Sequence, residues 1–458
     1  MIIGSGPGGY VAAVRAGQLG LRTALIEKDS KLGGTCLLRG CIPTKSLLHT
    51  ADVYEEFKHA RTFGIVAEGV SLDFGQAQKQ KNKVVLKLAK GVEFLMKKNK
   101  VQVFKGTGHI EAPGRIKVTA EDGSAEEISA KNTIIATGSV PRSLPNLEID
   151  GRQIITSDEV LELEEIPKSM IVLGAGAVGV EFASMYSRFG SDVTVLELLP
   201  RLLPIEDEEI SAELGKAFKK QGIKAFTGAN FQSAVKTDEG VRVTAKVGDE
   251  EREFTAEKLL VAVGRRAYTD GLGLSNTGVE LERGYIKVDQ FMRTTEHGIY
   301  AIGDVVPTPW LAHVASAEGI LAVETIAGKH TRPINYDHVP NCTYCSPEVA
   351  SVGLTEAKAR ERGYEPKVGR FSTPILAKVQ ILGATQGMVK VVSDARYGEL
   401  LGVHIIGPHA TELIIEGCVA LQMESTVEEL INMMHAHPTV SEGFREAAED
   451  VYGMAIHF

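Results

Sequence analysis

Apolar residues cluster in short runs that stop at glycine-rich loops, and one such arrangement occurs twice. Ile2-Ile3 leads into Gly4-Ser5-Gly6-Pro7-Gly8-Gly9, Tyr10 to Leu19 reads as a helix rich in Ala and Val, and Leu21 to Ile26 reads as a strand ending at Glu27. Further on, Met170 to Leu173 is a strand, Gly174-Ala175-Gly176-Ala177-Val178-Gly179 a loop, Glu181 to Phe189 a helix, and Val193 to Leu196 a strand ending at Glu197. In both copies the acid falls eighteen residues after the third glycine, and an apolar strand closes the unit, Thr133 to Gly138 in one and Leu259 to Gly264 in the other. The first strand has only three residues before its first glycine. A buried parallel strand usually runs to about five or six, so either upstream residues are missing or this strand is unusually short.

Between these units the pattern changes. Lys83 to Lys100 is a basic amphipathic stretch, read as a solvated helix face. Val101–Phe104 and Ile116–Val118, with turns at Gly106-Thr107-Gly108 and Asp122-Gly123, read as a small antiparallel insertion. Val140-Pro141 starts a linker. Ile299 to Ile302 is a strand followed by Gly303-Asp304, and Trp310-Leu311-Ala312-His313 opens a helix that runs through Ala327. From about Pro340 come β segments at Ala350–Val352, Gly387–Val392 and Leu400–Ile406, then helices near Thr411–Gln422, Thr426–Asn432 and Ser441–Val451. A sheet with helices and no glycine loop predicts an association domain.

Each glycine loop is G-x-G-x-x-G between a strand and a helix. Glycines there permit a tight turn and close approach of a pyrophosphate, held by the helix N-terminus, while the acid at the next strand tip accepts from ribose hydroxyls. Gly4, Gly6, Gly9 and Glu27 form one expected dinucleotide site, and Gly174, Gly176, Gly179 and Glu197 a second. Glu197 favours NAD(H), since a carboxylate repels a 2′-phosphate, although Arg201 stands nearby. The expected fold is α/β, with two Rossmann-like dinucleotide-binding domains plus an α+β C-terminal dimerisation domain. The boundaries are drawn at 1–142, 143–268, 269–338 (a central domain completing the first site) and 339–458.

Composition narrows the partners. At 458 residues, 43% hydrophobic and 24% charged, the chain reads as a soluble multidomain protein. A net charge of −9 argues against nucleic acid or an anionic membrane, and no apolar run approaches the ~18–20 residues of a span. Five cysteines are not a secreted disulfide framework, so the cytoplasm is expected, or an organelle matrix if a leader has been removed.

Two of those cysteines lie in Gly33-Gly34-Thr35-Cys36-Leu37-Leu38-Arg39-Gly40-Cys41-Ile42-Pro43-Thr44-Lys45. Residues i and i+5 of a regular helix sit roughly 8–9 Å apart, and a disulfide needs Cα atoms within about 7 Å. The thiols can bond only if the segment is unwound, which Gly40 and Pro43 would permit. The alternative is two buried, unlinked thiols. Beside two dinucleotide sites, a redox pair is the better reading. Electrons passing between a dithiol and a nicotinamide need a carrier that accepts both, and a flavin does this. The first loop, close to the cysteines, is expected to hold FAD and the second NAD. His437, before Pro438 and near Glu442, could be structural or an oriented acid–base group.

Over nearly its full length the chain resembles the pyridine nucleotide–disulfide oxidoreductases, and among them the branch that oxidises dihydrolipoamide. The resemblance rests on residues 33–45, both glycine fingerprints, Ala136-Thr137-Gly138, Gly303-Asp304 and His435-Ala436-His437-Pro438-Thr439-Val440-Ser441-Glu442. It implies oxidation of dihydrolipoamide to lipoamide with reduction of NAD+ through a redox disulfide and FAD. Cys36 would exchange with substrate and Cys41 would face the flavin, with Lys45 near the ring and paired with Glu181. Gly34, Thr35, Gly108, Thr137, Gly138, Ser139, Asp304, Trp310, Leu311, Ala312 and His313 would help line FAD. Glu181 and Gly264 would join the NAD site. His437 with Glu442 would act as acid–base in the active site of the other subunit of an obligate homodimer. The implied partners are lipoyl domains of 2-oxo acid dehydrogenase or glycine cleavage complexes, with no metal.

Several residues depart from the family pattern. Leu38-Arg39 replaces the usual polar-then-valine pair, and Arg39 is expected to lower the pKa of a neighbouring thiol. Val314 stands where many relatives have lysine. Cys342 and Cys345 have the spacing of a redox or zinc pair, but no further ligands lie at recognisable spacing, so they read as ordinary thiols. Glutathione-type reductases are the nearest alternative, and they usually carry tyrosine at the position of Ala177 and favour NADPH. Mercuric reductases carry an extra C-terminal cysteine pair, which Ala455-Ile456-His457-Phe458 lacks. A mainly structural role in a multienzyme complex is a further alternative.

Overall fold

The computed structural model describes residues 1–457 and divides them into two compact units. One comprises residues 1–47, 75–142 and 264–336, the other 48–74, 143–263 and 337–457.

In the first unit, Ile2–Ile3 is the middle strand of a five-stranded parallel sheet. Its neighbours are Ala24–Glu27 on one side and Thr133–Ile135 on the other, with Gln102–Lys105 and Ile299–Ala301 at the edges. The opening strand is two residues long and still pairs on both sides. The segment near residue 102 is therefore a strand of the parallel sheet and not part of an antiparallel insertion, which corrects the sequence reading. The antiparallel sheet is made by Thr107–Ala112, Arg115–Thr119 and Ala125–Ser129. An apolar segment beside a fully buried strand carries no mark of which partner it will take. The basic stretch is a helix, Phe74–Lys98, whose buried positions Val85, Ala89, Val92 and Met96 recur at helical spacing.

The second unit repeats this plan. Ser169–Leu173 is central, with Asp192–Glu197 and Lys224–Thr227 on one side and Lys258–Val261 and Ile154–Ile155 on the other, all parallel. Ala229–Thr237, Gly240–Val247 and Glu250–Ala256 form its antiparallel sheet. The same unit holds the C-terminal sheet, in the order Asn341–Thr343, Glu348–Gly353, Leu400–Gly407, Met388–Asp394, Pro366–Ser372 and antiparallel throughout. Helices Ala410–Gln422 and Glu442–Asp450 bury Ile414, Cys418, Leu421, Phe444 and Ala447 in one core with that sheet.

One row across the C-terminal sheet is polar on every strand. Asn341, Ser351, His404, Lys390 and Arg370 are register neighbours in turn and so share a face. The start of helix Glu208–Lys220 meets this row. Lys390, 2% exposed, lies 2.9 Å from Asp207, 2.7 Å from Glu209 and 3.2 Å from Glu356, while Arg370 Nε reaches Glu209 at 2.6 Å. The Arg370 hydrogen bond, with Lys390, holds the Glu209 carboxyl down at about 2. A depressed acid stabilises the fold above its unfolded pKa and loses that contribution only as pH falls through the folded value. The Glu209 contribution therefore fades between the ordinary carboxylate range and pH 2. Removing the cation strands buried acids, so Lys390→Met is expected to destabilise the protein by about 3–5 kcal/mol, read as a lower thermal unfolding midpoint at pH 7. A midpoint equal to that of the unsubstituted protein would contradict the clamp.

Candidate active site

The two glycine loops have nearly the same geometry. Gly4 and Gly174 have φ of 103° and 104°, and each donates its N–H at 2.8 Å to the neighbouring strand, to Ile26 O and Leu196 O. A Cβ on Gly9 would stand 1.9 Å from Gly4 O, and one on Gly179 would stand 1.9 Å from Gly174 O. These third glycines let helix and strand touch backbone to backbone. Gly6 and Gly176 differ, since a Cβ there meets nothing within 4 Å. The open space lies at the start of helices Pro7–Gln18 and Ala177–Phe189, neither of which has a side-chain cap. Unsatisfied first-turn N–H groups beside an open cradle suit a pyrophosphate.

The strand-tip acids also correspond. Glu197 accepts from Ala175 N at 2.6 Å and Leu199 N at 2.8 Å. Glu27 accepts from Ser5 N and Asp29 N at 2.8 Å, and from Ser5 Oγ at 2.5 Å. A carboxylate offers about four acceptor positions, so each acid keeps capacity for a ribose hydroxyl. Arg201 pairs with Glu208 and donates to Pro204 O at 3.3 Å, so its guanidinium is engaged within its own loop. Both loops fit a dinucleotide.

Ser5 also fastens the cysteine segment, because Gly33 N donates to Ser5 Oγ at 3.1 Å. The short helix Gly34–Arg39 carries Cys36, the backbone breaks at Gly40 with φ −143° and ψ −113°, and helix Cys41–His59 starts on the second cysteine. The break expected from the spacing is thus at Gly40. Pro43 sits inside the first turn of the second helix, where its missing N–H does no harm. Cys36 and Cys41 are present as thiols. Their mutual hydrogen bond and burial push the Cys36 thiol up, and Lys45 opposes this. Arg39 pairs with Asp29, beside the Glu27 strand tip, and Lys45 is a cation that lowers the Cys36 thiol. A side chain as long as arginine can turn away from its sequence neighbours, which spacing does not reveal.

Asp304 lies in the same unit. Its carboxyl is pushed up by burial, against a 2.5 Å hydrogen bond from Ser139 Oγ and the charge of Arg265. Arg265 also donates to Ser139 Oγ at 2.7 Å and Ser139 O at 2.8 Å. Glu318, fully buried in helix Ala312–Ile326, accepts from Gly303 N at 2.6 Å and Tyr336 Oη at 2.9 Å, which fixes the turn carrying Asp304. Sequence reasoning missed Arg265, Glu318 and Tyr336. Only the structure shows that they converge on Asp304. Thr137 Oγ1 donates to Tyr268 O at 2.7 Å, and Trp310 Nε1 to Val306 O at 3.3 Å. Leu311 precedes a helix start without a side-chain cap, Ala312 opens that helix, and His313 is exposed on its first turn. Gly108 packs on Ile3 and Ile26. Gly138 and Gly264 have positive φ and open space at the Cβ position.

In the other unit, His437 Nδ1 lies 2.8 Å from Glu442 Oε1, and Glu442 Oε2 accepts from Thr439 N at 2.9 Å. An ionised carboxylate only accepts, so this contact places the ring hydrogen on Nδ1 and leaves Nε2 with a lone pair. The His437 side chain is 71% exposed. Met433 and Met434, shortly before it in sequence, are exposed, as are Ile415 and Val419 on helix Ala410–Gln422 and Met423 at its C-cap. Sequence reading passed over His435, whose Nε2 lies 2.8 Å from Glu416. Glu181 is buried and accepts from Tyr344 N at 2.9 Å. Cys345 is buried, with its thiol pushed up by desolvation, and Cys342 lies 4.0 Å from Thr411 O. No metal-binding group of side chains occurs among the described residues. No described helix is long and apolar enough to cross a membrane.

Residues 1–319 match the pyridine nucleotide-disulphide oxidoreductase family, and residues 339–448 match its dimerisation domain. The chain belongs to this family. It is 47% identical over 468 residues to a dihydrolipoyl dehydrogenase of Bacillus subtilis, covering 100% of this chain and 98% of that one. It is 48% identical over 450 residues to one from Chlorobaculum tepidum, covering 98% and 96%. The crystal structure of LpdA from Mycobacterium tuberculosis matches with a TM-score of 0.90 and 30% identity, over 98% of each chain. FAD and NAD(H) are the cofactors of the family and of this chain, and its dimerisation domain makes it a homodimer.

Gly176→Ala and Gly179→Ala separate the two uses of glycine in the second loop. The first is expected to leave folding intact and raise KM for NAD+ by roughly tenfold or more. The second drives a methyl into Gly174 O and is expected to lower soluble yield and the unfolding midpoint. Equal effects on folding would contradict the assignment.

Proposed function

We infer that this enzyme oxidises dihydrolipoamide to lipoamide and passes the electrons to NAD+. The observation that carries this is a dithiol pair at the first nucleotide loop in a chain that also holds an oriented, exposed His–Glu pair. The full-length identity to dihydrolipoyl dehydrogenases supports the choice of substrate. FAD, when bound, carries the electron pair from the dithiol to NAD+.

His437 Nε2 takes the proton of a dihydrolipoyl thiol, since only the thiolate attacks a disulfide. The thiolate bonds to Cys36 Sγ of the oxidised pair and the Cys36–Cys41 bond breaks, leaving Cys41 as thiolate. Cys41 opens a 19-residue helix, whose N-terminal dipole favours that negative charge, and Lys45 follows one turn on. The second substrate thiol then attacks the first substrate sulfur, the bond to Cys36 breaks, the departing Cys36 sulfur takes its proton, and the cyclic disulfide is released. Glu442 holds the imidazole tautomer and stabilises its charged form. Exposure of His437 supports its service to the cysteines of the other subunit.

The site assignments follow the same reading. Glu27, Ser139 and Asp304, with Thr35, Thr137, Gly138 and the Trp310–His313 turn, bind FAD, while Glu197 and Gly264 bind NAD. The four-part division of the chain given above is retained. Lipoyl domains of 2-oxo acid dehydrogenase or glycine cleavage complexes are the natural electron donors, in the cytoplasm or an organelle matrix.

His437→Gln is expected to lower kcat for dihydrolipoamide by about 10²–10⁴-fold and to leave NADH-driven reduction of an artificial dye, which bypasses the thiols, near its starting rate. The substrate assignment is read from NADH turnover with lipoamide against NADPH turnover with oxidised glutathione. A preference for the latter pair would replace it with a glutathione-type activity.

A further inference from the structure

The helix that carries Cys36 is too short to stand alone. Gly34–Arg39 has six residues, and a helix of that length is unstable in water without outside support. Contacts hold it at both ends. At its start Gly33 N donates to Ser5 Oγ at 3.1 Å, and that hydroxyl donates to Glu27. At its last residue the Arg39 guanidinium pairs through Nη2 with the Asp29 carboxylate. The Arg39 Nε is buried, with no partner among the described residues, so the side chain lies against the protein on its way to Asp29. Asp29 is itself a fixed post. Its N–H donates to Glu27 Oε1 at 2.8 Å, and Lys105 Nζ donates to the carbonyls of Asp29 and Ser30 at 3.2 and 3.1 Å. Both ends of the cysteine helix are thus tied to the strand tip at Glu27. The start of the Cys41 helix is held separately, since Thr44 donates to Gly40 O from N at 3.1 Å and from Oγ1 at 2.6 Å.

We propose that Arg39 is a positioning residue for the dithiol, and that its pair with Asp29 holds the Cys36 helix where its sulfur meets that of Cys41. The proposal rests on the reading of these two thiols as the redox couple. In that couple the Cys36–Cys41 bond takes two electrons and two protons from a dithiol, which closes its own disulfide, and the reverse rejoins the two sulfurs. Closing is intramolecular, so its equilibrium follows the effective concentration of one sulfur at the other. A helix anchored at both ends keeps that concentration high. With the Arg39 end released, Cys36 samples more positions, the bond is less favoured and the pair is easier to reduce. A cation acting only through its charge has the opposite sign. It would favour thiolates and hence the reduced pair, so its loss would make reduction harder, while loss of the acid would make it easier. Positioning gives Arg39→Leu and Asp29→Asn the same direction, because either one breaks the pair.

The test uses FAD-loaded dimeric enzyme without oxygen, equilibrated with dithiothreitol at graded ratios of dithiol to disulfide. After an acid quench, free thiols at Cys36 and Cys41 are counted by alkylation. Each single variant is expected to reach half reduction at a ratio about threefold lower, which is about 14 mV for a two-electron couple. The double variant is expected to shift no further than either one alone. Arg15→Leu is the comparison, because it breaks a pair of matching exposure between helices Pro7–Gln18 and Ala312–Ile326. Arg15 and Glu324 are 35% and 24% exposed, against 37% and 25% for Arg39 and Asp29. Its ratio is expected to equal that of the unsubstituted enzyme. An Arg39→Leu ratio that stays put or rises overturns the proposal, as do shifts that add in the double variant. An equal shift in Arg15→Leu also overturns it, by marking a general loosening of the unit. If dithiothreitol opens no Cys36–Cys41 bond in the unsubstituted enzyme, the redox reading of the site fails. If the bond opens and Arg39→Leu leaves the ratio unmoved, only the positioning role fails.

Discussion

Both nucleotide loops depend on one contact that a side chain would forbid, the approach of a helix backbone to the first carbonyl of its own loop. At Gly9 and again at Gly179 the space for a Cβ is taken by the oxygen five residues back. That contact sets the helix start over the strand end and frees the first-turn N–H groups for an anion. The strand-tip acids then fall into place, because each accepts from the N–H immediately after the first glycine. In the first unit the chain of consequences extends further. Ser5 joins Glu27 to Gly33, and Gly33 starts the helix that carries Cys36. The redox segment is thus hung from the phosphate cradle by one hydroxyl.

The same physics explains what could be read in advance. Glycine spacing and the Gly40 break are local, set by residues a few positions apart, and the strand-tip acids recur at one fixed interval, so each appears in the structure where the sequence places it. The edge strands of both parallel sheets are not local. Ile299–Ala301 and Ile154–Ile155 join sheets through partners distant in sequence, and nothing in a short apolar run names its neighbour. The polar row from Asn341 to Arg370 escaped for a related reason, since each residue looks like an isolated polar position until register aligns the strands. The pairing of Arg39 with Asp29 could not be read in advance, because charge and proximity in sequence do not give direction.

The His437 region shows the opposite balance. Glu442, the partner of His437, lies five residues on, so the pair was visible in sequence, but its meaning depends on what covers it. An imidazole that is largely exposed is poorly placed to work alone in water. A covering subunit would supply both the low dielectric and the thiols. The buried His435–Glu416 pair sits two residues away and has the contrary exposure, which marks it as part of the scaffold on which His437 is presented.

The placement of Ile299–Ala301 has a bearing on how the chain is built in time. This strand is the edge partner of Thr133–Ile135, and Gly319 on the helix after it packs against Gly8 and Ala12 of the first nucleotide helix. Between them lies all of residues 143–263, the contiguous nucleotide-binding part of the other unit. On a ribosome, the part encoded second therefore has all five strands of its own parallel sheet available before the part encoded first receives its last strand. The unit that opens the polypeptide is the later of the two to close its parallel sheet.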